Sequence, residues 1–109
     1  MSQVIINQVG PLPISTRVNW PSDRAVLVSV SGSAFTKQPG TTLAVSLHIA
    51  GTLMGTLQLM SNPAGTHFVL PDGFFLPAGV IGDTPMVLAA ANGTTLTDDT
   101  DLFTVALIY

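Results

Sequence analysis

The stretch LAVSLHIAGTLMGTLQL, Leu43 to Leu59, decides the fold. Leu43, Val45, Leu47 and Ile49 alternate with Ala44, Ser46 and His48. A period of two is what an extended strand uses to build one apolar face. Ala50-Gly51-Thr52 then reads as a turn, with Gly51 free to take a positive φ. The return run places Leu53, Gly55, Leu57 and Leu59 on one face and Met54, Thr56, Gln58 and Met60 on the other. The second face is half apolar too, which predicts a strand covered on both sides.

Outward from this hairpin the same alphabet repeats. On the N-terminal side, Arg24 to Ser33 is a strand with Val26, Val28 and Val30 on one face and Ser29 and Ser31 on the other. Before it, Val4 to Val9 is a short strand ended by Gly10-Pro11-Leu12-Pro13, and Thr16 to Trp20 is another, stopped by Pro21. Prolines withhold ladder donors, so this first segment reads as an edge strand or a crossing arm. On the C-terminal side, Ser61-Asn62-Pro63-Ala64-Gly65 is a turn, Thr66 to Leu70 a strand, and Pro71-Asp72-Gly73 another turn. Met86 to Ala91 is a strand, Thr97 to Asp101 a polar loop, and Phe103 to Tyr109 a closing strand. No segment carries a helical period. The pattern predicts an all-β protein, an antiparallel β-sandwich of jelly-roll type with about eight strands. It reads as a single domain, with residues 1–22 as an N-terminal arm or edge-strand segment and residues 23–109 as the sandwich.

Composition narrows the function classes. The 109 residues include three basic and six acidic side chains, the net charge is −3, and 47% are hydrophobic. All six acids are Asp. With a mean hydropathy of +0.54, much of the surface must be uncharged or apolar, the mark of a chain that contacts others. The expectation is a homo-oligomer, a dimer or trimer. Three scattered cations (Arg17, Arg24, Lys37) make neither the basic stripe of a nucleic-acid binder nor a polybasic membrane patch. No apolar run approaches the ~20 residues of a membrane helix. The absence of cysteine removes thiolate chemistry and cysteine-ligated metals. The N-terminus shows no secretory signal, which predicts synthesis in a cytoplasm.

Few residues suggest chemistry, and none forms a catalytic constellation. Asp98, Asp99 and Asp101 are spaced to offer oxygens to Ca²⁺, although a full site needs six to eight of them. His48 shares the Ala44 and Ser46 face and reads as a hydrogen-bonded or interface residue. His67 precedes Phe68, and a Ser–His–Asp set has no local Gly-x-Ser-x-Gly scaffold to hold it. No paired carboxylates mark a glycosidase. The chain is therefore expected to be no enzyme and to need no cofactor. Phe74 and Phe75 are adjacent, so one of them must leave the core. Val4, Ile6, Trp20, Phe74, Phe75 and Tyr109 are the candidate interface residues. Trp20 is also the candidate for stacking on a sugar ring. Main-chain pairing of the first 13 residues with a neighbour's sheet would tie subunits together without charge.

Four runs share a layout: VSVSGSAF (Val28 to Phe35), the hairpin, NPAGTHFVLP (Asn62 to Pro71), and the final PMVLAAANGTTLTDDTDLFTVALIY. Within them stand Thr66-His67-Phe68-Val69-Leu70-Pro71 and the set Thr97, Asp98, Asp101, Phe103 and Val105. Over Arg24 to Tyr109 this layout resembles small jelly-roll proteins of tailed-phage particles and, more distantly, tumour-necrosis-factor-like jelly rolls. The resemblance implies a capsid decoration (cement) subunit on the virion surface, docked on a lattice such as a major capsid protein. The alternative, from another class, is an oligomeric carbohydrate-binding module, whether a lectin or a receptor-binding tip.

Overall fold

The computed structural model describes residues 2–21, 23–61, 63–80 and 82–109. Asn62 of the expected turn, and Met1 and Ser22 of the expected arm, fall outside the described residues. Ten strands are described: β1 (Ser2–Val9), β2 (Ile14–Trp20), β3 (Leu27–Ser31), β4 (Ser33–Ala34), β5 (Thr41–Ile49), β6 (Thr52–Ser61), β7 (Phe68–Val69), β8 (Gly73–Phe75), β9 (Gly82–Ala90) and β10 (Leu102–Ile108). The count exceeds about eight because β4, β7 and β8 have only two or three residues each. The protein is an antiparallel jelly-roll sandwich. One sheet runs β1-β10-β3-β8, the other β2-β9-β5-β6, and β4 pairs with β7 beside them.

The alternating residues fill the space between the sheets. Val28 and Val30 of β3, Val105 and Leu107 of β10, and Leu43, Val45, Leu47 and Ile49 of β5 are all buried there with Phe103 and Leu88. The hairpin turn uses positive φ twice, at Ala50 (54°) and Gly51 (78°). Two positive φ values in a two-residue loop give the twist that matches the flanking strands.

The N-terminal segment is not a separate arm. β1 pairs with β10 along its length, and β2 pairs with β9. Both lie at sheet edges, with their free sides outward. Ile6 is buried in the core, which removes it from any surface of this chain. Trp20 is also a core residue, at 4% exposure, because β2 directs Ile14, Val18 and Trp20 to the same inward face. Its indole Nε1 is buried without a hydrogen-bond partner among the described residues.

Two bulges reset the alternation. Ile5 is the extra residue between the pairs Val4↔Ala106 and Ile6↔Val105. Met54 is the extra residue between Leu47↔Gly55 and His48↔Leu53. Leu53 consequently moves to the face of Thr56 and Gln58, where it is exposed. β6 is an edge strand with only Leu57 and Ser61 fully buried, so it is not covered on both sides. Of the Phe pair, Phe74 turns outward at 60% exposure while Phe75 packs against the core. The Phe75 ring lies over Gly55 and Gly73, occupying the space that a Cβ would need at either position.

Candidate functional site

A groove follows the outer face of the β9-β5-β6 sheet. Every second residue of β5 faces it, and these are small or polar: Thr42, Ala44, Ser46 and His48. Leu53, Thr56 and Gln58 of β6 form one side, and Ala89, Ala90, Ala91 and Asn92 the other. The side chains are short along Ala44, Ser46 and its pairing partner Ala89, while Leu53, Thr56 and Gln58 are longer on the β6 side, which leaves a trough between them. Its volume is about 530 Å³, within the usual range of ligand clefts.

The polar atoms of the groove fall into two groups. Asn92 is locked: its amide donates to the Thr42 carbonyl at 3.0 Å, and its oxygen accepts from the Thr95 amide at 2.9 Å and the Thr95 hydroxyl at 2.6 Å. Ser46 Oγ donates to the Ala89 carbonyl at 3.3 Å. By contrast, the side chains of Thr56, Gln58 and His48 make no hydrogen bond to a described residue. These three line the groove with unused donors and acceptors. No side chain of fixed charge lines it, since His48 is its one ionisable residue.

The second assembly of polar groups lies at the end of the sandwich, where β10 begins. Asp101 has no solvent exposure. Its Oδ1 accepts from Ser33 Oγ at 2.6 Å and pairs with His67 Nδ1 at 2.8 Å, and its Oδ2 accepts from the Asp98 amide at 3.0 Å. The Gly10 amide donates to the Asp101 carbonyl at 2.7 Å, and the Leu12 amide to Thr97 Oγ1 at 2.8 Å. The acidic loop is therefore fastened to the turn between β1 and β2. The Phe35 ring packs on the His67 imidazole, with centroids 4.3 Å apart. The Asp101 carboxylate beside His67 raises the imidazole pKa above its ordinary value, against an opposing effect of burial, with the Asp98 charge adding to the rise. Thr100 holds the Asp98 carboxyl below the usual range by donating to Oδ1 from its hydroxyl and its amide.

Two sets of residues singled out in the sequence, a Ser–His–Asp set and the three aspartates, lie at this end of the sandwich. The Ser–His–Asp residues do meet, but Ser33 donates to Asp101 and not to His67, so no hydroxyl here is activated by the imidazole. The three aspartates do not assemble a calcium cage. Both oxygens of Asp101 and Oδ1 of Asp98 are taken by protein donors, and the remaining Asp98 Oδ2 faces His67 Nε2 at 3.7 Å. The donor set therefore does not fit Ca²⁺, which calls for six to eight oxygens. Asp99 is exposed and stands apart from the cluster of His67, Asp98 and Asp101.

The interface candidates separate. Val4 and Phe74 are exposed on the outer face of the β1-β10-β3-β8 sheet. Tyr109 is partly buried, with Arg24 over its ring at 5.7 Å. Ile6 and Trp20 are buried in the sandwich, and Trp20 shows only an edge to a second cavity that it lines with Pro21, Arg24, Leu76 and Val80, so it offers no open ring face for stacking. Phase along β2 is the signal that would have placed Trp20: it shares parity with Ile14 and Val18. The groove was half visible in the Ala44, Ser46 and His48 face, whereas Thr56, Gln58 and Ala89 join it only through strand pairing.

No family model matches the chain, and no curated protein matches it. Among solved structures, it is similar to the carbohydrate-binding module CBM36 described in complex with calcium and xylotriose. The TM-score is 0.52 at 17% identity, over 99% of this chain and 87% of that one. It is also similar to the CBM36-1 domain of a multidomain xylanase from the hindgut metagenome of Trinervitermes trinervoides. There the TM-score is 0.53 at 10% identity, over 100% of this chain and 98% of that one. At these identities the likeness establishes a shared jelly-roll fold.

Proposed function

We propose that this protein is a non-catalytic carbohydrate-binding domain, and that a neutral glycan lies in the groove across β9, β5 and β6. The observation that carries the proposal is the set of unused polar side chains, Thr56, Gln58 and His48, facing an open trough with a floor of Ala44, Ser46 and Ala89. Sugar hydroxyls donate and accept at once, so uncharged hydroxyl, amide and imidazole groups suit them. The absence of fixed charge from the lining favours neutral over sulfated or uronic glycans. The similar folds of two carbohydrate-binding modules support the same reading.

The test is affinity electrophoresis through gels containing neutral polysaccharides, xylan among them. Retardation is expected for the native chain and lost in Gln58→Ala and in Ser46→Leu, which fills the floor. Retardation that both variants retain would mean that glycans bind elsewhere than in the groove. Trp20→Ala is no test of binding, because it opens a hole in the core.

A second reading has its own observation. None of the strands β1, β10, β3 and β8 carries a charged residue, and their outer face exposes Val4, Val9, Leu102, Ile108 and Phe74. A face of that kind suits a subunit docked in an assembly, including the virion-surface role of a capsid decoration protein. The two readings use opposite faces of the sandwich and are separable by mutation.

A further inference from the structure

We propose that His67 and Asp98 form a binding site for a divalent transition-metal ion of the Zn²⁺ class, with Asp101 as the buried residue that orients the imidazole. The site is independent of the glycan groove. His67, Asp98 and Asp101 each offer a ligand-type atom, and these atoms lie within 4.8 Å of one another. The hydrogen bonds decide how the three divide the work. Asp101 Oδ1 stands 2.8 Å from His67 Nδ1, so Nδ1 carries a proton and donates it to the buried carboxylate. That leaves Nε2 facing outward with no hydrogen bond to a described residue. A carboxylate behind the imidazole fixes its tautomer and raises its basicity toward a metal, the usual support for a ligating histidine. Ser33 and the Asp98 amide in turn hold Asp101 in place.

Asp98 is prepared in the same way. Thr100 takes its Oδ1 twice, at 2.9 Å and 2.6 Å, and leaves Oδ2 open. The open atoms, Nε2 and Oδ2, are 3.7 Å apart. Bonds of about 2.0–2.1 Å to a tetrahedral ion put its ligands roughly 3.3 Å apart. A small movement of two partly exposed side chains meets that spacing, and the solvent side leaves room for water ligands. An imidazole with one free carboxylate oxygen suits Zn²⁺, Co²⁺ or Ni²⁺ and is a poor match for the oxygen cage of Ca²⁺ or Mg²⁺.

The experiment is a titration of the full chain with ZnCl₂, followed by calorimetry and by the imidazole nitrogen resonances. One saturable Zn²⁺ per chain is expected, shifting His67 Nε2 and leaving His48 unmoved. His67→Gln and Asp98→Asn should each weaken binding at least about tenfold, a loss of the size seen when metal-site support is removed. Asp98 is partly exposed, so Asp98→Asn keeps the test valid if His67→Gln fails to fold. Matched Ca²⁺ should leave the His67 resonance in place. No saturable zinc binding, binding unaffected by Asp98→Asn, a shift centred on His48, or equal binding of Ca²⁺ would each overturn the proposal.

Discussion

At Asp101, a carboxylate without solvent exposure takes donors from Ser33, His67 and the Asp98 amide, and the imidazole is the one of these that titrates near neutral pH. His67 binds its proton more tightly in the folded chain than in the unfolded one, because its pKa is raised from the ordinary 6.5. Its stabilisation is complete below the unfolded pKa and is lost as pH rises through the folded value. Denaturation midpoints should therefore fall as pH rises above the ordinary 6.5 and through the raised His67 pKa, and fall less in His67→Gln. Parallel profiles for the two proteins would show that the contact is energetically idle. Gly55 gives a second residue-scale prediction. A Cβ there would sit 2.0 Å from the Phe75 ring, so Gly55→Ala should cost about 1–3 kcal/mol, the range for overpacking, in chemical denaturation. An unchanged midpoint would mean that the ring moves aside freely. Asp101 and His67 are 34 residues apart, and nothing local in either segment announces the pairing. Their motifs were legible separately, and only the fold joins them.

Strands were the most legible elements, because alternation is written directly into β3, β5 and β10. What alternation cannot show is where it is interrupted. The bulges at Ile5 and Met54 each invert the parity of the residues beyond them, and Leu53 reached the groove face for that reason. The prolines after β1 pointed to an edge strand or a crossing arm, and β1 lies at the edge of its sheet. Pairing with β10 and the burial of Ile6 make β1 part of the core. Deleting residues 1–13 should therefore abolish cooperative unfolding, or lower the midpoint severely, as read by circular dichroism. A truncated chain that unfolds like the native one would show that β1 is dispensable. In the β5–β6 turn, Ala50 holds φ at 54°. Its Cβ makes this backbone unfavourable by about 1 kcal/mol, so Ala50→Gly should cost little or raise stability.

At the scale of the molecule, the two sheets present different outer faces. The β2-β9-β5-β6 sheet is grooved and polar, and the β1-β10-β3-β8 sheet is charge-free and partly apolar. The composition foretold an uncharged surface without telling which face would hold a ligand, since that depends on the order of strands. Light scattering over a concentration range separates the roles of the two faces. If the charge-free face docks, the native chain should associate and Phe74→Asp should shift it toward monomer while leaving glycan binding intact. A monomer at every concentration would contradict self-association. Glycan binding in the groove across β9, β5 and β6 is best probed by titrating labelled protein with a neutral xylo-oligosaccharide and mapping the amide shifts. Saturable shifts are expected at Ala44, Ser46, Thr56, Gln58 and Ala89. Shifts confined to the opposite sheet, or none with any neutral glycan, would contradict it.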